Sequence, residues 1–188
     1  MTTIVALKDK DGVYIGSDLQ ATAGGFIMKI KSDTGKWIIS DDGRWAVGHC
    51  GRFRTQNIIS EEREALFHKI SGPGDFVNRL QGILRRYEFD LKAITKPDED
   101  GDHDRHNSMD SWLILCSADN IYAIDYDFTV IEIEDYIARG SGFPYAIGAL
   151  SATEGTKMKP QDRVAKALAV SAKYDTHTGN ETFIGVMR

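Results

Sequence analysis

Thr2 to Lys29 reads TTIVALKDKDGVYIGSDLQATAGGFIMK, and its hydrophobic spacing decides the fold class. Thr2–Leu7 and Val13–Ser17 are short β-rich runs, separated by the charged turn Lys8-Asp9-Lys10-Asp11-Gly12. Phe26–Lys31 partly alternates apolar and polar residues, and Lys36–Ser40 is a less regular strand candidate. Asp41-Asp42-Gly43 suits a hairpin, because Asp-Gly tolerates positive φ, and Arg44–His49 is the returning strand. The reading is five strands in antiparallel hairpins before any helix.

Two helical patterns follow. Gln56–Ile70 places Ile59, Leu66 and Ile70 roughly on one face. In Asp75–Ala93 apolar residues recur at three- and four-residue steps, and Ser71-Gly72-Pro73-Gly74 separates the two helices. Lys96–Asp110 is strongly polar and is expected to be an exposed loop. Strands resume at Trp112–Cys116, Ile121–Ile124 and Thr129–Ile133. Helices are expected at Pro144–Ser151 and Arg163–Lys173, and a last strand at Glu181–Met187. Strands, helices, strands, helices, strand is the order of an α+β protein, and it suits two packed sheets with a helical layer outside each.

The chain of 188 residues, 41% hydrophobic, is expected to form one domain over 1–188. With 23 Lys and Arg against 28 Asp and Glu it has no basic excess, which argues against nucleic-acid binding. No apolar run approaches the ~18 residues of a membrane helix. The start of the chain lacks a signal-peptide pattern, and Cys50 and Cys116 lie far apart. A cytoplasmic protein with reduced thiols is the simplest reading.

Chemistry concentrates at the chain start. Removal of Met1 before a small residue would leave Thr2 N-terminal, with a hydroxyl nucleophile and an α-amine on adjacent carbons. Such an amine titrates at roughly 7.7–8.0 and can serve as the general base. Metal and nucleotide motifs fail. Counted from Asp98, the EF-hand positions for Gly and Glu hold His103 and Met109, and His103 and His106 lack a flanking ligand pattern. No phosphate-binding glycine motif occurs. No metal or cofactor is expected.

Several separated segments together resemble one family. The opening Thr2-Thr3-Ile4, Gly16-Ser17-Asp18, Gln20-Ala21-Thr22, Gly48-His49-Cys50-Gly51, Gly140-Ser141-Gly142-Phe143-Pro144-Tyr145-Ala146 and Asp175-Thr176-His177-Thr178-Gly179 occur in the order seen in proteasome β subunits and HslV-type peptidases. The resemblance spans nearly the whole chain. It implies a four-layer αββα sandwich and a threonine peptidase with Thr2 as nucleophile. It also implies that Asp18 orients a catalytic lysine, that the Gly51 N–H receives the oxyanion, and that Ser141 and Asp175 hydrogen-bond around Thr2.

The lysine is taken as Lys36, which fits if two residues are inserted before it, in preference to Lys29. By the same resemblance Thr22 and Cys50 line the substrate strand. His49 shapes the pocket for the residue preceding the cut, where it would favour acidic or polar side chains. Two departures stand out: Cys50 where relatives usually carry Ala, and Arg52 where HslV has a second Gly. The implied partners are protein or peptide substrates, further copies of the chain in a double ring of six or seven subunits, and an AAA+ unfoldase. Two rivals stand beside this reading: a non-catalytic ring subunit of the same fold, which a retained Met1 would support, and a small-molecule amidase of the same nucleophile class.

Overall fold

The computed structural model describes residues 2–23, 25–31, 35–87, 94–97, 103–106 and 109–188. In chain order the strands and helices begin with β1 (Thr3–Asp9), β2 (Gly12–Asp18), β3 (Gln20–Ala23), β4 (Phe26–Lys29), β5 (Trp37–Ile39) and β6 (Ala46–Gly51). Three helices follow, α1 (Phe53–Glu61), α2 (Arg63–Phe67) and α3 (Pro73–Arg86). Then come β7 (Ile94–Pro97), β8 (His103–His106), β9 (Ser111–Cys116), β10 (Ile121–Ile124), β11 (Val130–Ile133) and β12 (Tyr136–Gly140). The chain closes with α4 (Phe143–Ala152), α5 (Pro160–Tyr174) and β13 (Thr182–Met187).

Two antiparallel sheets form the centre, one in the order β12-β1-β2-β13 and the other β11-β10-β9-β6-β5. Strand alternation sorts their side chains into three apolar layers. Ile4 and Ala6 of β1, with Val13 and Ile15 of β2, meet Ala46, Cys50, Ile114 and Cys116 of the second sheet. The opposite face of β1, Val5 and Leu7, packs with Ala146 and Leu150 of α4 and with Val164, Ala167 and Leu168 of α5. Val47, Leu113 and Leu115 on the far face of the second sheet pack with Phe76, Leu80 and Leu84 of α3 and with α1 and α2. The layers are therefore helix, sheet, sheet, helix, the αββα arrangement. The ring of Trp37 stacks on Phe183 at 4.6 Å and donates from Nε1 to the Phe183 carbonyl at 3.0 Å, tying one sheet to the other.

Several boundaries depart from the sequence reading. Six strands, not five, precede the first helix, because Gln20–Ala23 pairs with β4 in a small separate sheet. Tyr136–Gly140, which carries no clean alternation, is an edge strand held in place by β1. The expected helix Gln56–Ile70 begins earlier, at Phe53, and is broken at Glu62 into α1 and α2. The helix expected to reach Ala93 stops at Arg86, and residues 88–93 lie outside the described residues. The polar segment Lys96–Asp110 is not simply a loop: β7 and β8 pair antiparallel, Ile94 opposite His106. The Asp98–Asp102 stretch and the side chains of His103 and His106 lie outside the described residues. Among the described residues no helix is long and apolar enough to cross a membrane.

The topology brings the functional candidates to one end of both sheets. Thr3 at the start of β1 lies opposite Gly140 at the end of β12, and Asp18 at the end of β2 lies opposite Thr182. In the second sheet Lys36 immediately precedes β5, and Gly51 closes β6 opposite Ser111. Two glycines are required there. Gly140 has φ +99, and a Cβ on it would stand 1.9 Å from the Thr2 carbonyl oxygen. Gly51 has φ +131, and a Cβ on it would stand 2.7 Å from the backbone of Asp110 and Ser111.

Candidate active site

Asp18 is the hub of the site. Its carboxylate is fully buried and accepts hydrogen bonds from four segments of the chain. Oδ1 accepts from Thr2 Oγ1 at 3.0 Å, from the Thr3 N–H at 2.9 Å and from Lys36 Nζ at 2.8 Å. Oδ2 accepts from the N–H groups of Gln20 and Gly179 at 2.9 and 3.0 Å and again from Lys36 Nζ at 2.8 Å. Lys36 is 2% exposed, so the pair is an ion pair removed from water. Burial pushes the Lys36 ammonium below its ordinary value, while the Asp18 charge and hydrogen bonds pull the other way. Lys29, the alternative lysine, sits on the exposed strand β4 in a surface ion pair with Glu181 at 2.5 Å. Lys36 is thus the lysine the fold delivers to Thr2.

A second polar cluster adjoins the first through Thr3. Ser141 Oγ and Thr178 Oγ1 each donate to Asp175 Oδ2 at 2.6 Å, and the His177 N–H donates to Oδ1 at 3.2 Å. Thr178 Oγ1 is also 2.7 Å from Thr3 Oγ1. Burial would raise the Asp175 carboxyl, but these three donors outweigh it and hold it below the ordinary carboxylate range. Asp175 occupies the C-cap of α5, so this helix end fixes the turn that also presents the Gly179 N–H to Asp18.

A cavity of about 10 Å³ opens beside the nucleophile candidate, lined by Thr2, Lys36, His49, Cys50, Gly51, Phe53 and Gln56. Of the residues singled out in the sequence, Thr2, Lys36, His49, Cys50 and Gly51 meet here and Asp18 joins them by hydrogen bonds. Ser141 and Asp175 bond to each other in the adjoining cluster. Thr22 lies apart on β3, with its hydroxyl oxygen buried and lacking a hydrogen-bond partner. The Cys50 thiol, pushed up to about 12 by burial, stays protonated and is a poor nucleophile.

Sequence reasoning missed Phe53, Gln56 and Ser111. The first two stand three residues apart on α1 and so share a face, which becomes visible once the helix start is placed at Phe53. Ser111 is found only through the register of β6 against β9, which brings its Oγ within 3.1 Å of His49 Nε2. Among the described residues no group of three or more His, Cys, Asp or Glu is placed to hold a metal ion.

His49 carries no charge in the fold. Burial first, and the Lys36 charge second, lower its pKa to about 3, so the ring is neutral and offers an acidic side chain no positive charge. The unfolded chain protonates this residue near 6.5 and the folded chain only near 3. Between those values the unfolded state holds the extra proton, so stability rises with pH and is lost as pH falls from 6.5 towards 3. Equilibrium denaturation across that range should show this loss at up to about 1.4 kcal/mol per pH unit, and His49→Gln should flatten it. An unchanged slope in the variant would contradict the assignment. The hub is tested by Asp18→Asn, which leaves the buried Lys36 ammonium without a counter-charge. It should cost about 3–5 kcal/mol in denaturant unfolding, and adding Lys36→Met should recover part of the loss. A single variant within about 1 kcal/mol of the parent would contradict it.

Comparison with known proteins places this geometry. No family model matches the chain. Proteasome subunit beta 2 of Ignicoccus hospitalis is 22% identical over 199 residues, covering 99% of this chain and 84% of that protein. Proteasome subunit beta of Nanoarchaeum equitans is 26% identical over 189 residues, covering 95% and 89%. Among solved structures, Thiobacillus denitrificans BPH in complex with epoxomicin is similar with a TM-score of 0.78 at 18% identity, covering 99% of both chains. HslV from Trypanosoma brucei is similar with a TM-score of 0.69 at 22% identity, again over 99% of both chains. By sequence likeness along nearly its whole length and by its four layers, this chain resembles the proteasome β-subunit and HslV family, and its fold is the N-terminal-nucleophile hydrolase fold of that family.

Proposed function

We propose that the chain, as one domain over 1–188, is a threonine-type endopeptidase subunit whose nucleophile is Thr2 Oγ1 after removal of Met1. The observation that carries the reading is the sharing of one carboxylate oxygen, Asp18 Oδ1, by the Thr2 hydroxyl and the Lys36 ammonium. A buried cation held beside a hydroxyl favours its alkoxide form, which is what a threonine nucleophile needs.

The steps follow from these groups. While Met1 is attached the Thr2 nitrogen is an amide and cannot act as a base; once freed, the α-amine accepts the Oγ1 proton. Oγ1 attacks the scissile carbonyl, and the negative charge that forms on the carbonyl oxygen receives a hydrogen bond from the Gly51 N–H. A preorganised donor of this kind contributes about 3–4 kcal/mol to the transition state. Collapse breaks the C–N bond, the protonated α-amine returns its proton to the departing amine, and an acyl ester remains on Thr2. Water, deprotonated by the same amine, hydrolyses the ester and restores the hydroxyl. Lys36 supplies fixed positive charge throughout, with Asp18 as its positioning residue, and Ser141 and Asp175 hold the neighbouring turns. Thr22 and His49 are substrate-side residues in this reading.

The relatives are named as proteasome subunits, which supports assembly of this chain into a multi-subunit ring. A double ring of identical copies enclosing the nucleophiles, fed with unfolded chains by an AAA+ ATPase, is the assembly we propose.

The purified protein should have an intact mass short of one methionine and should hydrolyse unstructured peptides. Thr2→Ala and Lys36→Met should each reduce turnover at least about a thousandfold, whereas Lys29→Ala should retain it. Turnover that persists in Thr2→Ala, or active material that retains Met1, would overturn the mechanism.

A further inference from the structure

The cavity beside Thr2 is smaller than a peptide side chain of any length requires. Its volume of about 10 Å³ is the room of one water molecule. Two of its lining residues come from α1. Phe53 is the first residue of that helix, and Gln56, one turn on, is pinned by its Nε2 donating to the Gly35 carbonyl at 2.8 Å. Gln56 Oε1 is buried and has no hydrogen-bond partner. A bulky guest would have to displace these lining side chains, at the cost that overpacking carries. Another lining residue, His49, is buried and hydrogen-bonded to Ser111 Oγ at 3.1 Å.

We infer that this pocket restricts the residue whose carbonyl is attacked to glycine, alanine or serine, with Phe53 and Gln56 as the residues that set the limit. The inference rests on the peptidase reading above and adds its substrate class. It narrows the expectation of acidic or polar side chains beside His49, because size excludes the acidic ones before charge acts.

Each methylene that a small pocket rejects changes discrimination by roughly tenfold or more, so the effect is readily measured. The experiment uses fluorogenic tetrapeptides identical except for Ala, Ser, Leu, Glu or Tyr before the cleaved bond, with the assembled protein lacking Met1. The kcat/KM values for Ala and Ser should exceed those for Leu, Glu and Tyr by at least about tenfold. Phe53→Ala should raise the Leu-to-Ala and Tyr-to-Ala ratios by about tenfold; Phe53 is 40% exposed, so its loss costs little core. Gln56→Ala is the second variant and should raise the same ratios. Leu, Glu or Tyr peptides cleaved as well as Ala by the parent would overturn the inference, as would ratios unmoved in both variants. No turnover of any peptide is the distinct result that overturns the peptidase reading itself.

Discussion

The buried Asp18–Lys36 pair is the constraint on which the rest of the structure depends. Two opposite charges taken out of water gain little unless every remaining hydrogen-bonding position is filled. Here the filling is done by the segments that build the site: the chain start, the beginning of β3 and the turn after α5 all donate to the same carboxylate. Holding the charge and assembling the site are one event. A fold that let any of these segments drift would leave part of a buried carboxylate unpaired, so the pair acts as a lock on the geometry around Thr2.

The four-layer architecture explains why the lock is possible. The pair joins the end of β2 in one sheet to the residue before β5 in the other. The apolar layer between the sheets keeps water from the pair on one side, and the small cavity lined by His49, Phe53 and Gln56 bounds it on the other. Low solvent access keeps His49 neutral and the Cys50 thiol protonated beside Thr2, Lys36 and Asp18.

How much of this was legible in the sequence depended on the kind of signal. Strands with period-two alternation and helices opened by proline were readable, since α3, α4 and α5 all carry Pro in their first turn. α1 was misplaced by three residues because Arg52, its N-cap, makes no side-chain capping bond, and its break at Glu62 lacks any glycine or proline. Tyr136–Gly140 was invisible because an edge strand takes its conformation from its partner. Thr2 was legible from the hydroxyl and amine that a terminal threonine carries, whereas the roles of Asp18 and Gly51 came through family resemblance. Lys36 is preferred over Lys29 already in the sequence, and burial separates the two: Lys29 lies on an exposed hairpin and Lys36 against a buried carboxylate. Phe53 and Gln56 went unnamed for the same reason that α1 was misplaced.

The central claim, that the hydroxyl of Thr2 is the reacting atom, is tested most directly by covalent trapping. Incubation of the processed protein with a small peptide epoxyketone, followed by peptide mapping, should place one adduct on the N-terminal Thr2 and abolish hydrolysis in proportion. Peptide hydrolysis that continues while Thr2 stays unmodified would contradict the account.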